Sequence, residues 1–206
     1  MISSYRGKFV HPIHDVLVDS DFADLQAVAG VDIPNPLRDF LKEFHGSFVH
    51  YAIRVPTEDE HAVVPFHTIL HVLPEGREAK DQPTSITGFL RHHIEADDSP
   101  STFVPFAFTL PGAPLLCDIA NAKSRIMMFG YDLDMDDEFV CIFPSFDEYV
   151  DAWFVDDEHT RTQISMSSQN SSQPFNEIPY IEWLTKAVPD WRVKYADVCP
   201  ERYDAE

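Results

Sequence analysis

The spacing of apolar residues changes partway along this chain, and that change restricts the folds open to it more than any other feature. In Phe22–Ala29, Phe22, Leu25 and Val28 recur at helical spacing, with Ser20 or Asp21 placed to cap and Gly30 to close. In Asn35–Gly46, Leu37, Phe40, Leu41 and Phe44 share one helical face behind Asn35 at the N-cap and Pro36 at the first helical position, and Gly46 supplies the stop. At Val49, Tyr51, Ile53 and Val55 the apolar positions alternate instead, the signature of a strand with one buried face. AVVPF, ending at Phe66, reads as a second and shorter strand. Ile86, Phe89, Leu90 and Ile94 return to helical spacing across Gly88. The short runs FVPFAFTL, LLCDIA, RIMMFGYDL and FVCIF follow, separated by turn signals at Pro111-Gly112 and Asn121-Ala122-Lys123. Four short strands in series predict an antiparallel meander. Ser145 then caps a segment in which Phe146, Tyr149, Val150 and Trp153 form an apolar helical face. The order is helices, then a twisted antiparallel sheet, then a covering helix, which is an α+β plan.

The polar stretch Ser165–Pro174 has linker composition, and Ile181, Leu184 and Val188 beside Trp183 predict a short helix beyond it. The expected organisation is an α+β domain over 1–160, a polar linker over 161–174, and a helical extension over 175–206 packing on the same domain.

Charge narrows the class of partner. The chain of 206 residues carries 35 Asp and Glu against 15 Lys and Arg, a formal net charge of −20. Such a field repels phosphate backbones and anionic lipid, so neither direct nucleic-acid binding nor membrane binding is expected, and a basic protein is the electrostatic complement. The opening residues hold no apolar core of signal-peptide length, and no stretch approaches the roughly 18 apolar residues of a membrane span. A soluble, cytoplasmic protein is expected. The three cysteines, Cys117, Cys141 and Cys199, form no CxxC pair, and their odd number argues against a closed disulfide framework.

The blocks occur in a familiar order. IPNPLRDFLKEFHGS resembles the "LP, FL, NGG" opening of the SUKH superfamily (Smi/Knr type). FVPFAFTLPGAPLLCDIANAKSRIMMFGYDL resembles its second segment through Pro105, Phe106, Ala107, Gly112, Leu116, Asp118 and Ile126, and SFDEYVDAWF is similar to its closing helix. His45 and Ser47 replace the asparagine and second glycine of the helix-end motif, and Gly46 still supplies a helix C-cap. The first 20 residues and those after Val155 fall outside the resemblance. The resemblance implies a non-enzymatic binding module: typically a bacterial immunity protein that neutralises a cognate toxin, often one attacking nucleic acids, with scaffolds or regulators among eukaryotic relatives.

The residues themselves point to a surface. From Ile126 through Thr160 there are eleven acidic residues and no Lys or Arg. The candidate partner-binding positions are Asp132, Asp134, Asp136, Asp137 and Glu138 in a loop, with Asp147, Glu148 and Asp151 on a helix face. They would steer a cationic partner, while Tyr131, Tyr149 and Trp153 are candidate aromatic anchors. The competing reading is a solvated loop and an outer helix face.

Catalytic and metal chemistry find little footing. Asp132, Asp134 and Asp136 match the first three ligands of a calcium loop, but Asp137 stands where glycine is required and Phe143 where the bidentate glutamate belongs. His67 and His71 are four apart in an apolar run without a third zinc ligand, and His92, His93 and Glu95 read as a helix edge. Cys117 beside Asp118 is the wrong setting for a thiolate, and Cys117 and Cys141, both in strands, read as core. With neither GxSxG, P-loop nor GxGxxG in the chain, no cofactor and no metal is expected. A cryptic hydrolase built on a histidine and a carboxylate is the reading from another class.

Overall fold

The computed structural model describes residues 2–12, 15–58, 60–72, 85–97, 102–110, 112–169 and 177–199. The fold is α+β, as the change of period predicts. Two short strands, β1 (Ser3–Tyr5) and β2 (Lys8–Val10), form a hairpin. Helices α1 (Ala23–Ala29) and α2 (Asn35–Phe44) follow. A six-stranded antiparallel meander runs in sequence order through β3 (Ala52–Pro56), β4 (His61–Ile69), β5 (Phe103–Thr109), β6 (Pro114–Asp118), β7 (Arg125–Phe129) and β8 (Phe139–Phe143). Helix α3 (Ile86–Asp97) is inserted between β4 and β5, and α4 (Phe146–Asp151), α5 (Asp157–Gln169), α6 (Glu177–Ala187) and α7 (Trp191–Lys194) follow the sheet.

The core lies between the sheet and α2 and α4. The α2 stripe of Leu37, Phe40, Leu41 and Phe44 is buried completely. The Phe40 ring meets Phe44, Phe146 and Trp153, and Phe106 of β5 meets Phe146 and Tyr149 of α4. Ser145 caps α4 by accepting the Glu148 amide at 3.2 Å. After α4 the chain crosses to the far edge of the sheet. Phe154 and Ala52 exchange two backbone hydrogen bonds, 2.8 and 3.1 Å, so the segment after β8 closes on β3.

Several sequence expectations need correction. The first helix is preceded by a 3-10 turn, Asp19–Phe22, and Asp21 acts from its third position, accepting the Val18 amide at 2.8 Å. Helix α2 begins at Asn35 itself, with Pro34 in the cap position. AVVPF is part of the longer strand β4, because Pro65 falls where pairing with β3 hands over to pairing with β5 and its missing N–H interrupts neither ladder. The expected linker is helical as far as Gln169. Its helix is anchored by buried Thr160 and Ile164, the Thr162 hydroxyl donates to the Glu158 carbonyl at 3.0 Å, and Arg161 holds Asp197 at 2.6 Å. Cys141 is exposed, because its strand position faces away from the core, whereas Cys117 is buried and desolvation pushes its thiol up to about 12.

The N-terminal hairpin and α6 both dock against the domain near Tyr51. Tyr5 packs edge-on against Phe40 and Phe44, and the Phe9 amide donates to the Tyr51 hydroxyl at 2.9 Å. Trp183 of α6 packs on Tyr51 and His50, and His11 lies 3.8 Å from Glu182.

His159, half-buried on α5, supplies a pH test. Desolvation lowers its imidazole pKa, against a weaker upward pull from Asp156. The unfolded chain therefore takes up this proton first as the pH falls through about 6.5, so stability present above that value is lost on acidification toward the lower folded value. In urea titrations between about pH 7.5 and 5.5, the wild-type midpoint is expected to fall relative to that of His159→Gln. Parallel pH profiles would reject the assignment.

Candidate partner-binding surface

The acidic loop joins β7 to β8, and its residues alternate. Leu133 is buried and Met135 packs against the core, while Asp132, Asp134, Asp136, Asp137 and Glu138 are exposed. The D-L-D-M-D pattern thus pins the backbone with two apolar side chains and turns the carboxylates outward. Gly130 is the hub: its amide donates to Glu138 O and its carbonyl accepts from the Met135 amide, both at 3.0 Å. A Cβ at that position would lie 1.7 Å from Asp137 O, so only glycine lets the loop close on itself. Asp134 adopts a left-handed conformation, φ 55°, which aspartate tolerates better than most residues. No described cation lies within ion-pair distance of the five carboxylates. Desolvation raises the Asp132 pKa, and desolvation with the Asp132 charge raises that of Tyr131.

The other three candidate positions have partners of their own. Arg6, at the tip of the N-terminal hairpin, donates to both carboxylate oxygens of Asp151, at 3.0 and 2.7 Å, and lies 3.1 Å from Asp147. The pairing holds the Asp151 carboxyl below its ordinary pKa. Glu148 accepts the Ser145 hydroxyl at 3.1 Å, and both Asp147 and Glu148 lie in the first turn of α4, where the helix dipole favours negative charge. Further along, Asp156 accepts the Glu158 and His159 amides at the start of α5, and Asp157 binds Lys194 and the Tyr195 hydroxyl. Lys194 first, then Tyr195, lowers the Asp157 pKa.

The acidic run therefore divides. The loop precedes β8 and α4 follows it, so the two groups sit at opposite ends of a five-residue strand, about 16 Å long at 3.3 Å per residue. Asp132 to Glu138 form one cluster that no described cation pairs, and Asp147, Glu148 and Asp151 do not join it. Of the candidate anchors, Tyr149 and Trp153 are core, because they face Phe106 and Phe40 under α4, whereas Tyr131 is 71% exposed. Its ring stacks on Phe129 at 5.3 Å.

Sequence reasoning missed Arg6, whose role depends on the Arg6-Gly7 turn and a contact across 145 positions. It also missed the half-buried Phe129 and Phe139 beside the loop, although both stand at the strand ends that border it. Among the described residues, no group of three His, Cys, Asp or Glu side chains is arranged to hold a metal ion. The side chains of His67, His92, His93 and Glu95 lie outside the described residues. No described helix is long and apolar enough to cross a membrane.

A family model described as the SMI1 / KNR4 family (SUKH-1) matches residues 17–152. No curated protein and no solved structure matches.

Proposed function

The chain belongs to the SMI1/KNR4 family (SUKH-1), and from that premise we propose that it is a cytoplasmic immunity protein which binds and neutralises a cognate cationic toxin, with no catalytic step of its own. The observation that carries this reading is the loop from Asp132 to Glu138, five exposed carboxylates with no cation among the described residues within ion-pair distance. A fixed negative cluster raises the encounter rate with a basic partner and makes that rate sensitive to salt. An inhibitor must outrun its toxin's damage, and steering supplies speed without demanding a large interface. Asp147, Glu148 and Asp151 contribute to the field of the molecule but are held by Arg6 and Ser145, so they belong to the scaffold more than to the contact.

The test is to capture the tagged chain from its source cells at low and moderate salt and to identify what co-elutes in stoichiometric amount. The expected result is one basic protein whose toxicity in growing cells this chain suppresses. Replacing Asp132, Asp134, Asp136 and Asp137 together by asparagine is expected to slow association about tenfold at low salt while the thermal midpoint stays near that of the wild type. Unchanged association kinetics would overturn the acidic-loop assignment. Several endogenous proteins at substoichiometric levels, none of them toxic, would overturn the immunity reading in favour of a regulatory scaffold.

A further inference from the structure

The second face of the sheet is also largely apolar, apart from the Asp118–Arg125 ion pair at one end and the exposed Cys141. Side chains alternate along each strand, and Val104, Cys117, Ile126, Met128 and Val140 point into the core under α4. Their neighbours Phe103, Leu116, Met127, Phe129 and Phe139 point the other way and stand outside the core cluster, although Leu116 is only 3% and Met127 only 6% exposed. The rings on this face meet one another across the strands. Phe103 belongs to β5 and Phe139 to β8, three strands away, yet their ring centroids lie 4.7 Å apart, which requires the sheet to coil strongly about this face. Phe139 meets Phe129 at 5.0 Å, and Phe129 meets Tyr131 at 5.3 Å. A row of four rings therefore lies on the face that the paired Leu116 and Met127 share, and it ends at an exposed tyrosine on the rim of the acidic loop.

Elsewhere in the fold guanidinium groups lie over aromatic rings, the half-buried Phe154 under Arg54 at 4.6 Å and the buried Trp191 and Tyr195 under Arg192 at 4.9 Å and Arg161 at 5.4 Å. Tyr131 has its carboxylates and its stacked ring but no described cation above it. We propose that this face is the docking site for the partner, and that its occupant is a basic protein segment that places an arginine over Tyr131, between the ring row and Asp132 to Glu138. This rests on the reading of the chain as a binder of a cationic protein and gives that binder a location. The division of labour is physical: carboxylates at the rim govern encounter, while a desolvated ring face under a guanidinium slows dissociation. A lysine of equal charge gains less, because an ammonium is more strongly hydrated and cannot stack.

The experiment uses the full chain and two synthetic peptides of matched length and charge, one alternating arginine with leucine, the other lysine with leucine. Binding is followed by NMR shifts of the Met127 methyl and the Tyr131 and Phe139 rings, and by titration calorimetry. The arginine peptide is expected to bind more tightly than the lysine peptide and to shift those signals. Tyr131→Ser should weaken it about 5- to 30-fold while leaving the thermal midpoint unchanged, since the side chain is mostly in solvent. Equal affinity for both peptides, shifts confined to α4 or α5, or an unaffected Tyr131→Ser would overturn the proposal. So would a concentration-dependent dimer in sedimentation that Tyr131→Ser abolishes, because a second copy would then be the occupant. A captured toxin that Tyr131→Ser neutralises as well as the wild type does would overturn this location and leave the immunity reading standing. The absence of any toxin would overturn that reading without touching the peptide result.

Discussion

Replacing Trp183 by alanine is expected to lower the unfolding free energy by about 3–5 kcal/mol, a large share of what a domain of this size possesses. Trp183 is 1% exposed, and its indole meets the rings of His50, Tyr51 and Tyr180 at 5.0, 5.3 and 5.5 Å. Tyr51 in turn stacks on Trp153 and accepts the Phe9 amide, so the cavity would open where the sheet, the N-terminal hairpin and α6 converge. Urea unfolding followed by far-UV circular dichroism and by tryptophan fluorescence reads the effect. One shifted transition seen alike by both probes is the expected result and would mean that the C-terminal helices share the core of the domain. A loss below about 1 kcal/mol, or a separate early transition with the main midpoint unmoved, would show that α6 is dispensable.

Gly130→Ala is expected to cost about 2–3 kcal/mol, toward the upper end of what an added methyl exacts in a packed site. The methyl would meet Asp137 O and Met135 O, and both are backbone atoms, so no rotamer change relieves the contact. The loop must instead give up the Gly130–Glu138 and Gly130–Met135 hydrogen bonds. Amide hydrogen exchange at Met135 is therefore expected to accelerate sharply, with the amides of β5 and β6 sped only by the global loss. Unaltered exchange at Met135 would mean that the loop does not depend on its hub.

The sequence reading succeeded where a local pattern and its burial coincide. Helix α2 was legible because Pro36 at its start and the Phe40–Phe44 face agree with one another, and the meander was legible because each apolar run ends at a turn residue. It failed where tertiary contacts override composition. Ser165 to Gln169 read as linker yet continue a helix, because Ile164 is buried and Arg161 reaches Asp197 thirty-six residues away. Cys141 read as core because strand membership says nothing about which face a residue occupies until the register is known. Of the candidate surface, the loop was legible and its isolation was not: the pairing of Asp147 and Asp151 with Arg6 joins residues far apart in the chain, and no spacing rule reports it.

The alternating anchorage of the β7–β8 loop has a consequence for how recognition can diversify. Everything that holds the loop in shape is inward or in the backbone, namely Leu133, Met135 and the hydrogen bonds of Gly130. Among the described residues the outward side chains at 132, 134, 136, 137 and 138 hold no ion pair, and only position 134, at φ 55°, is restricted by its backbone to residues that tolerate a left-handed conformation. Except at 134, their identities can therefore be rewritten at little cost to stability, so the segment behaves as an exchangeable label on a fixed mount. On the proposed reading, a lineage facing a changing partner revises what this loop presents one residue at a time, without having to refold the rest of the molecule.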